Sequence, residues 1–122
     1  MGGPAALSVP ARSPSIHSMA LDEKLAAECA DWVAEQMTEE FGGFIAAELI
    51  DLVIEEEEKI RAEHDDPLMD HRTMSERLMA PLEEEGVPIK KGAVSRELVE
   101  EILHWEDEFR GLAGQARNVR RS

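Results

Sequence analysis

A small all-α fold is predicted for this sequence: a four-helix bundle built on an antiparallel helical hairpin, with a disordered N-terminal leader. Three observations carry that expectation. Apolar residues recur every three to four positions along four separate stretches, the period of an amphipathic helix. Aromatic residues make up only 4% of the chain and Tyr is absent, so the core must be built from Leu, Ile, Val, Ala and Met, a palette that suits helix packing. A length of 122 residues fits one domain with one core.

The leader, residues 1–18, is rich in Pro, Ser, Gly and Ala, lacks acids and has no period, so it reads as disordered. Met19 opens a second start, MALDEKL, which makes the leader a vector remnant, an overextended start or a short targeting segment. The helical domain is expected over residues 19–114, with a basic flexible tail over 115–122.

The first helix is expected from Leu21 to Phe41, where Leu21, Leu25, Cys29, Trp32, Val33, Met37 and Phe41 keep the helical spacing. Gly42 and Gly43 end it, and Phe44, Ile45, Leu49, Leu52, Val53 and Ile60 mark a second helix running to about His64. So short a link implies an antiparallel hairpin. Thr73 and Glu76 have capping-box spacing and open a third helix through Met74, Leu78 and Leu82, ending near Gly86. Pro81 predicts a kink or a restart there, because a proline inside a helix costs about 3 kcal/mol. Ser95 caps a fourth helix whose apolar side is Leu98, Val99, Ile102, Trp105, Phe109 and Leu112, with Gly114 beyond its end. The strings ELIDLVIEEEEKI from Glu48 and ELVEEILHWEDEF from Glu97 echo one another. Acidic amphipathic helices converge on such patterns, and two copies fall short of a repeat architecture.

The net charge is −14, and all 27 acids lie between Asp22 and Glu108. From Arg110 onward the chain carries Arg110, Arg117, Arg120 and Arg121 and no acid. A polyanionic body repels phosphate backbones, so no nucleic-acid partner is expected, and the basic tail is expected to lie on its own acidic body. The lone Cys29 excludes an internal disulfide, and no apolar stretch is long enough to cross a bilayer. A cytoplasmic protein with no membrane partner is the expectation.

Three constellations bear on chemistry. Glu28 and Asp31 on the first helix and Glu48 and Asp51 on the second resemble the E-x-x-E and E-x-x-D pairs of the all-helical MazG-type nucleotide pyrophosphohydrolases, with Asp31 standing where that family has Glu. The resemblance covers about 30 residues and implies a magnesium-dependent hydrolase, with Mg or another divalent cation held by those four acids. The helical layout itself predicts that the two pairs are displaced by roughly 9 Å along the hairpin, and that Glu48, Asp51, Glu55 and Glu58 form a solvated stripe. The loop string HDDPLMDH offers His64, Asp66, Asp70 and His71 as ligands for zinc, manganese or iron. Glu101 and His104 alone have the Glu-x-x-His spacing of di-iron bundles, too few for such a centre.

The third constellation is an interaction surface. Glu106 falls within the apolar arc of the fourth helix, where a buried carboxylate would need an arginine such as Arg77 or Arg110, unless that stretch lies at the edge of the fold. Trp32 and Trp105 sit on apolar faces, as core or as part of a partner patch, and Arg117, Arg120 and Arg121 could order on binding. Cys29, between Leu25 and Val33, reads as an inert core thiol. No cofactor is predicted. The role expected is a non-enzymatic, acidic helical protein-protein interaction module, working on a protein partner or by self-association as a homodimer.

Overall fold

The computed structural model describes residues 20–121. Four helices follow one another: α1 (Glu23–Phe41), α2 (Ala47–Glu63), α3 (His71–Glu84) and α4 (Arg96–Leu112). Each packs on the next, and α4 closes the ring against α1. The bundle expected from periodicity is the fold. The leader and the alternative start at Met19 lie outside the described residues.

Local chemistry sets the helix ends. Asp22 accepts the amide of Leu25 at 2.8 Å, so α1 starts one residue after this cap. Gly42, at φ 71°, takes the left-handed conformation and donates its amide to the Thr38 carbonyl, which stops α1. Phe44 and Ile45, expected inside the second helix, precede it; the Ile45 amide donates instead to Thr38 Oγ1 at 2.9 Å. Asp70, not Thr73, caps α3, because its carboxylate accepts the Thr73 amide at 2.9 Å. Pro81 is carried within α3 without a break in the helix. Ser95 caps α4 as its sequence position implies.

Cys29, Val33 and Met37 of α1, Ile50 and Val53 of α2, Met74, Leu78 and Leu82 of α3, and Val99, Ile102 and Leu103 of α4 are fully buried. Trp32, Trp105 and Phe109 pack around this core half-buried; the two indoles meet edge to face at 5.7 Å, and the Trp105 Nε1–H donates to Glu40. No helix among the described residues is long and apolar enough to cross a membrane.

Candidate functional site

Deep in the bundle lies a charged centre drawn from α2, α4 and the chain after α4. Glu57 and Glu106 are both buried, and each has an arginine one turn on, Arg61 and Arg110, also buried. Arg61 grips Glu57 through Nε at 3.0 Å and Nη2 at 2.7 Å, and its Nη1 donates to the carbonyls of Pro67 and Met69. Arg110 Nε donates to Glu106 at 3.3 Å, and its Nη1 donates to the Gln115 carbonyl. The two glutamates occupy matching places in the two echoing strings and each arginine directly follows its string, so the echo marks the same buried device on two helices.

Arg117 closes the centre. Its side chain is 2% exposed and reaches Glu57 at 2.8 Å, Glu106 at 3.3 Å and Asp107 at 3.1 Å. Further along, Arg120 clasps Asp66 through both terminal nitrogens and donates its amide to the Leu68 carbonyl. Residues 113–120 therefore form a strap over the end of the bundle.

Electrostatics divides the two glutamates. Burial opposes ionisation of Glu57, but Arg117, a hydrogen bond shared with Glu106, and Arg61 outweigh it and hold the carboxyl far below the usual range. Burial and then the Glu57 charge push Glu106 well above its ordinary value. One oxygen on each carboxyl, Glu57 Oε1 and Glu106 Oε1, makes no well-formed hydrogen bond, although Arg117 Nη2 lies 3.3 Å from Glu106 Oε1. Arg117, despite its burial, is held still more firmly cationic by Glu57, Glu106 and Asp107. These groups lock a strap in place, and every charge has a neighbour of opposite sign.

Beside the strap, His71, Glu100, His104, Asp107 and Arg117 line a cleft of about 650 Å³. His71 Nε2 lies 2.8 Å from Asp107 Oδ2, an ion-pair distance at an angle too oblique for a well-formed hydrogen bond. Its Nδ1 lies 3.3 Å from His104 Nδ1, so one of these two nitrogens must donate to the other. Burial opposes ionisation of Asp107, and the His71 and Arg117 contacts more than compensate, lowering its pKa.

A second concavity, of about 790 Å³, opens at the turn between α1 and α2. Its apolar lining is Ala34, Phe44, Ile45 and Ala47 with the two turn glycines, and its ionisable lining is Asp31, Glu35, Glu39 and Glu48. None of those four acids forms a salt bridge among the described residues. Phe44 stands at the mouth with 85% of its surface in water, and Phe41 is half exposed nearby in the chain. Such exposure of a whole aromatic ring beside an apolar groove is what a docking surface looks like.

The residues singled out by sequence are dispersed. Glu28, Asp31, Glu48 and Asp51 all face solvent; Asp31 and Glu48 line the groove just described, whereas Asp51 lines another cleft with Glu55, Glu58 and Lys59. In the histidine loop, His64 meets Arg77, Asp66 meets Arg120, Asp70 caps α3, and His71 turns to Asp107 and His104. Among the described residues no group of three or more His, Cys, Asp or Glu side chains is placed to hold a metal ion. Glu106 is buried, and Arg110 rather than Arg77 is its partner, joined by Arg117.

Sequence reasoning missed Glu57, Arg61 and Asp107. Periodicity assigns Glu55 and Glu58 to the wet stripe and leaves Glu56 and Glu57 between them unassigned; both are buried. The detectable signal was the register of the echo, which superposes Glu57 and Arg61 on Glu106 and Arg110. No protein-family model, curated protein or solved structure matches this chain.

Proposed function

We propose that the chain is a non-enzymatic, acidic helical interaction module that binds another protein at the groove between α1 and α2. The observation that carries this reading is Phe44, 85% exposed at the mouth of an apolar-floored groove. Leaving an aromatic side chain in water forgoes about 1.5–3 kcal/mol of burial, which an interface can recover. The groove is also well braced. Thr38 accepts the Ile45 amide on its hydroxyl and the Gly42 amide on its carbonyl, fixing the turn from both sides. A pre-formed surface spends little free energy on ordering when a partner arrives.

The reading is tested by selecting a displayed random peptide library on the intact protein and counter-screening on Phe44→Asp. Because Phe44 packs so little, that variant keeps the stability of the parent. Selected peptides that bind the parent and not the variant support an interaction module at this groove. Peptides that bind both equally, or that never enrich, contradict it.

A further inference from the structure

The groove carries information about the chemistry of its occupant. Every ionisable side chain lining it is an acid, namely Asp31, Glu35, Glu39 and Glu48. Elsewhere six cations meet carboxylates of the same chain: Arg61, Arg110 and Arg117 on Glu57, Glu106 and Asp107, Arg96 on Glu100, Arg120 on Asp66 and Lys59 on Glu56. The only base on α1 is Lys24, at the opposite end of the helix from Gly42. Among the described residues the groove therefore joins an apolar floor to a rim of four carboxylates that no cation pairs with.

We infer that the occupant is a cationic amphipathic segment of another protein, with an aliphatic or aromatic side chain seated against Ala34, Ile45, Ala47 and Phe44 and lysines or arginines over Asp31, Glu35, Glu39 and Glu48. This rests on the interaction-module reading and adds the partner's chemistry to it. The apolar anchor supplies the area removed from water, and the rim supplies orientation and a faster encounter. An anionic or uncharged segment finds no complementary charge on this rim. A nucleic acid is repelled by it.

The chain already handles basic groups in this way. At the far end of the bundle the strap is an extended basic stretch, held because Arg117 and Arg120 each meet carboxylates at hydrogen-bond distance. The groove presents the same kind of acceptor without a donor among the described residues.

The test uses a fluorescently labelled leucine–lysine amphipathic peptide, titrated into the full chain at low and moderate salt. Three comparison peptides replace its lysines by glutamine, its lysines by glutamate, or its leucines by serine. Saturable binding of the parent peptide is expected, weakening with salt, and about tenfold weaker for the glutamine peptide. The double variant Glu35→Gln/Glu39→Gln is expected to weaken the parent peptide to a similar degree, whereas Glu63→Gln/Glu84→Gln, which neutralises exposed acids away from the groove, leaves it unchanged. Equal losses from both double variants would reveal unspecific attraction to a polyanion and overturn the inference. A glutamine peptide that binds as tightly as the parent and is lost with Phe44→Asp would overturn the cationic partner while leaving the interaction module standing. Insensitivity of every peptide to Phe44→Asp, or no binding at all, would sink both. Sedimentation at two protein concentrations completes the set: a dimer abolished by Phe44→Asp would give the groove to a second copy and remove the cationic occupant.

Discussion

Glu57 on α2 and Glu106 on α4 share one guanidinium, with Arg117 Nη2 at 2.8 Å from the first and 3.3 Å from the second. These two helices are not neighbours in the ring of the bundle, so the contact runs across its interior. A cation from beyond the last helix thus joins two carboxylates that would otherwise repel, which ties the strap to the integrity of the core.

Removing that cation exposes the repulsion. Arg117→Ala is expected to destabilise the fold by about 3–5 kcal/mol, the cost of stranding buried charge. Arg117→Lys recovers only part of it, since an ammonium cannot span Glu57, Glu106 and Asp107 with a planar fork. Urea denaturation followed by circular dichroism measures both variants, and a surface-like loss below about 1 kcal/mol would show that the strap does not brace the bundle.

The two glutamates respond oppositely to neutralisation. Glu57→Gln takes away the carboxylate that Arg61 and Arg117 bind and costs about 3–5 kcal/mol at neutral pH. Glu106→Gln removes a carboxylate whose ionisation is opposed by burial and by the Glu57 charge, and costs less than about 1 kcal/mol at pH 5. The folded pKa of Glu106 is raised, so the native state keeps a proton that the unfolded chain has released. Its contribution is whole below the ordinary glutamate value of about 4.3 and is lost as pH climbs through the folded value. The stability difference between parent and Glu106→Gln should therefore move in favour of the variant as pH rises from 5 to 8. A difference independent of pH would contradict a raised Glu106 pKa.

Asp107 carries the opposite sign. Its folded pKa is lowered, so its stabilisation is complete above the ordinary value of about 3.9 and disappears as pH falls through the folded one. Asp107→Asn should be less stable than the parent at pH 6 and converge with it in strong acid, by thermal melting across that range.

Cys29 is fully buried, and burial followed by the nearby Glu106 charge pushes its thiol up to about 12. Modification by a thiol-reactive disulfide is expected to proceed at least about 1,000-fold more slowly than for a free cysteine and to track global unfolding. Rapid labelling in the absence of urea would show that α1 opens on its own.

The fold was legible because burial followed period along the middle of each helix, failing at the ends, where Phe41 and Leu112 of the expected apolar faces are exposed. Val33, Met37, Leu78 and Ile102 lie where their spacing puts them, and each is fully buried. Boundaries slipped where a side chain outside the pattern captured an amide: Asp70 took the cap from Thr73, and Thr38 drew the Ile45 amide to its hydroxyl, holding Phe44 and Ile45 in the turn before α2. The buried centre was half legible. Glu106 stood out as an acid within an apolar arc, but Glu57 was hidden by identical neighbours, and its partner Arg117 comes from a stretch with no period at all. Contacts made by such a stretch depend on where the bundle places complementary charge, which periodicity does not encode. The groove was illegible for a similar reason, since Phe44 counted as apolar and apolar residues are assigned to cores by default.

The most direct measurement is chemical-shift mapping by heteronuclear NMR of the labelled protein titrated with the leucine–lysine peptide. Saturable shifts confined to Ala34, Thr38, Gly42, Gly43, Phe44 and Ala47 are predicted, with the amides of His71, His104 and Asn118 unmoved. Shifts centred on the histidine cleft, or spread evenly over every acidic face, would contradict docking at the α1–α2 groove.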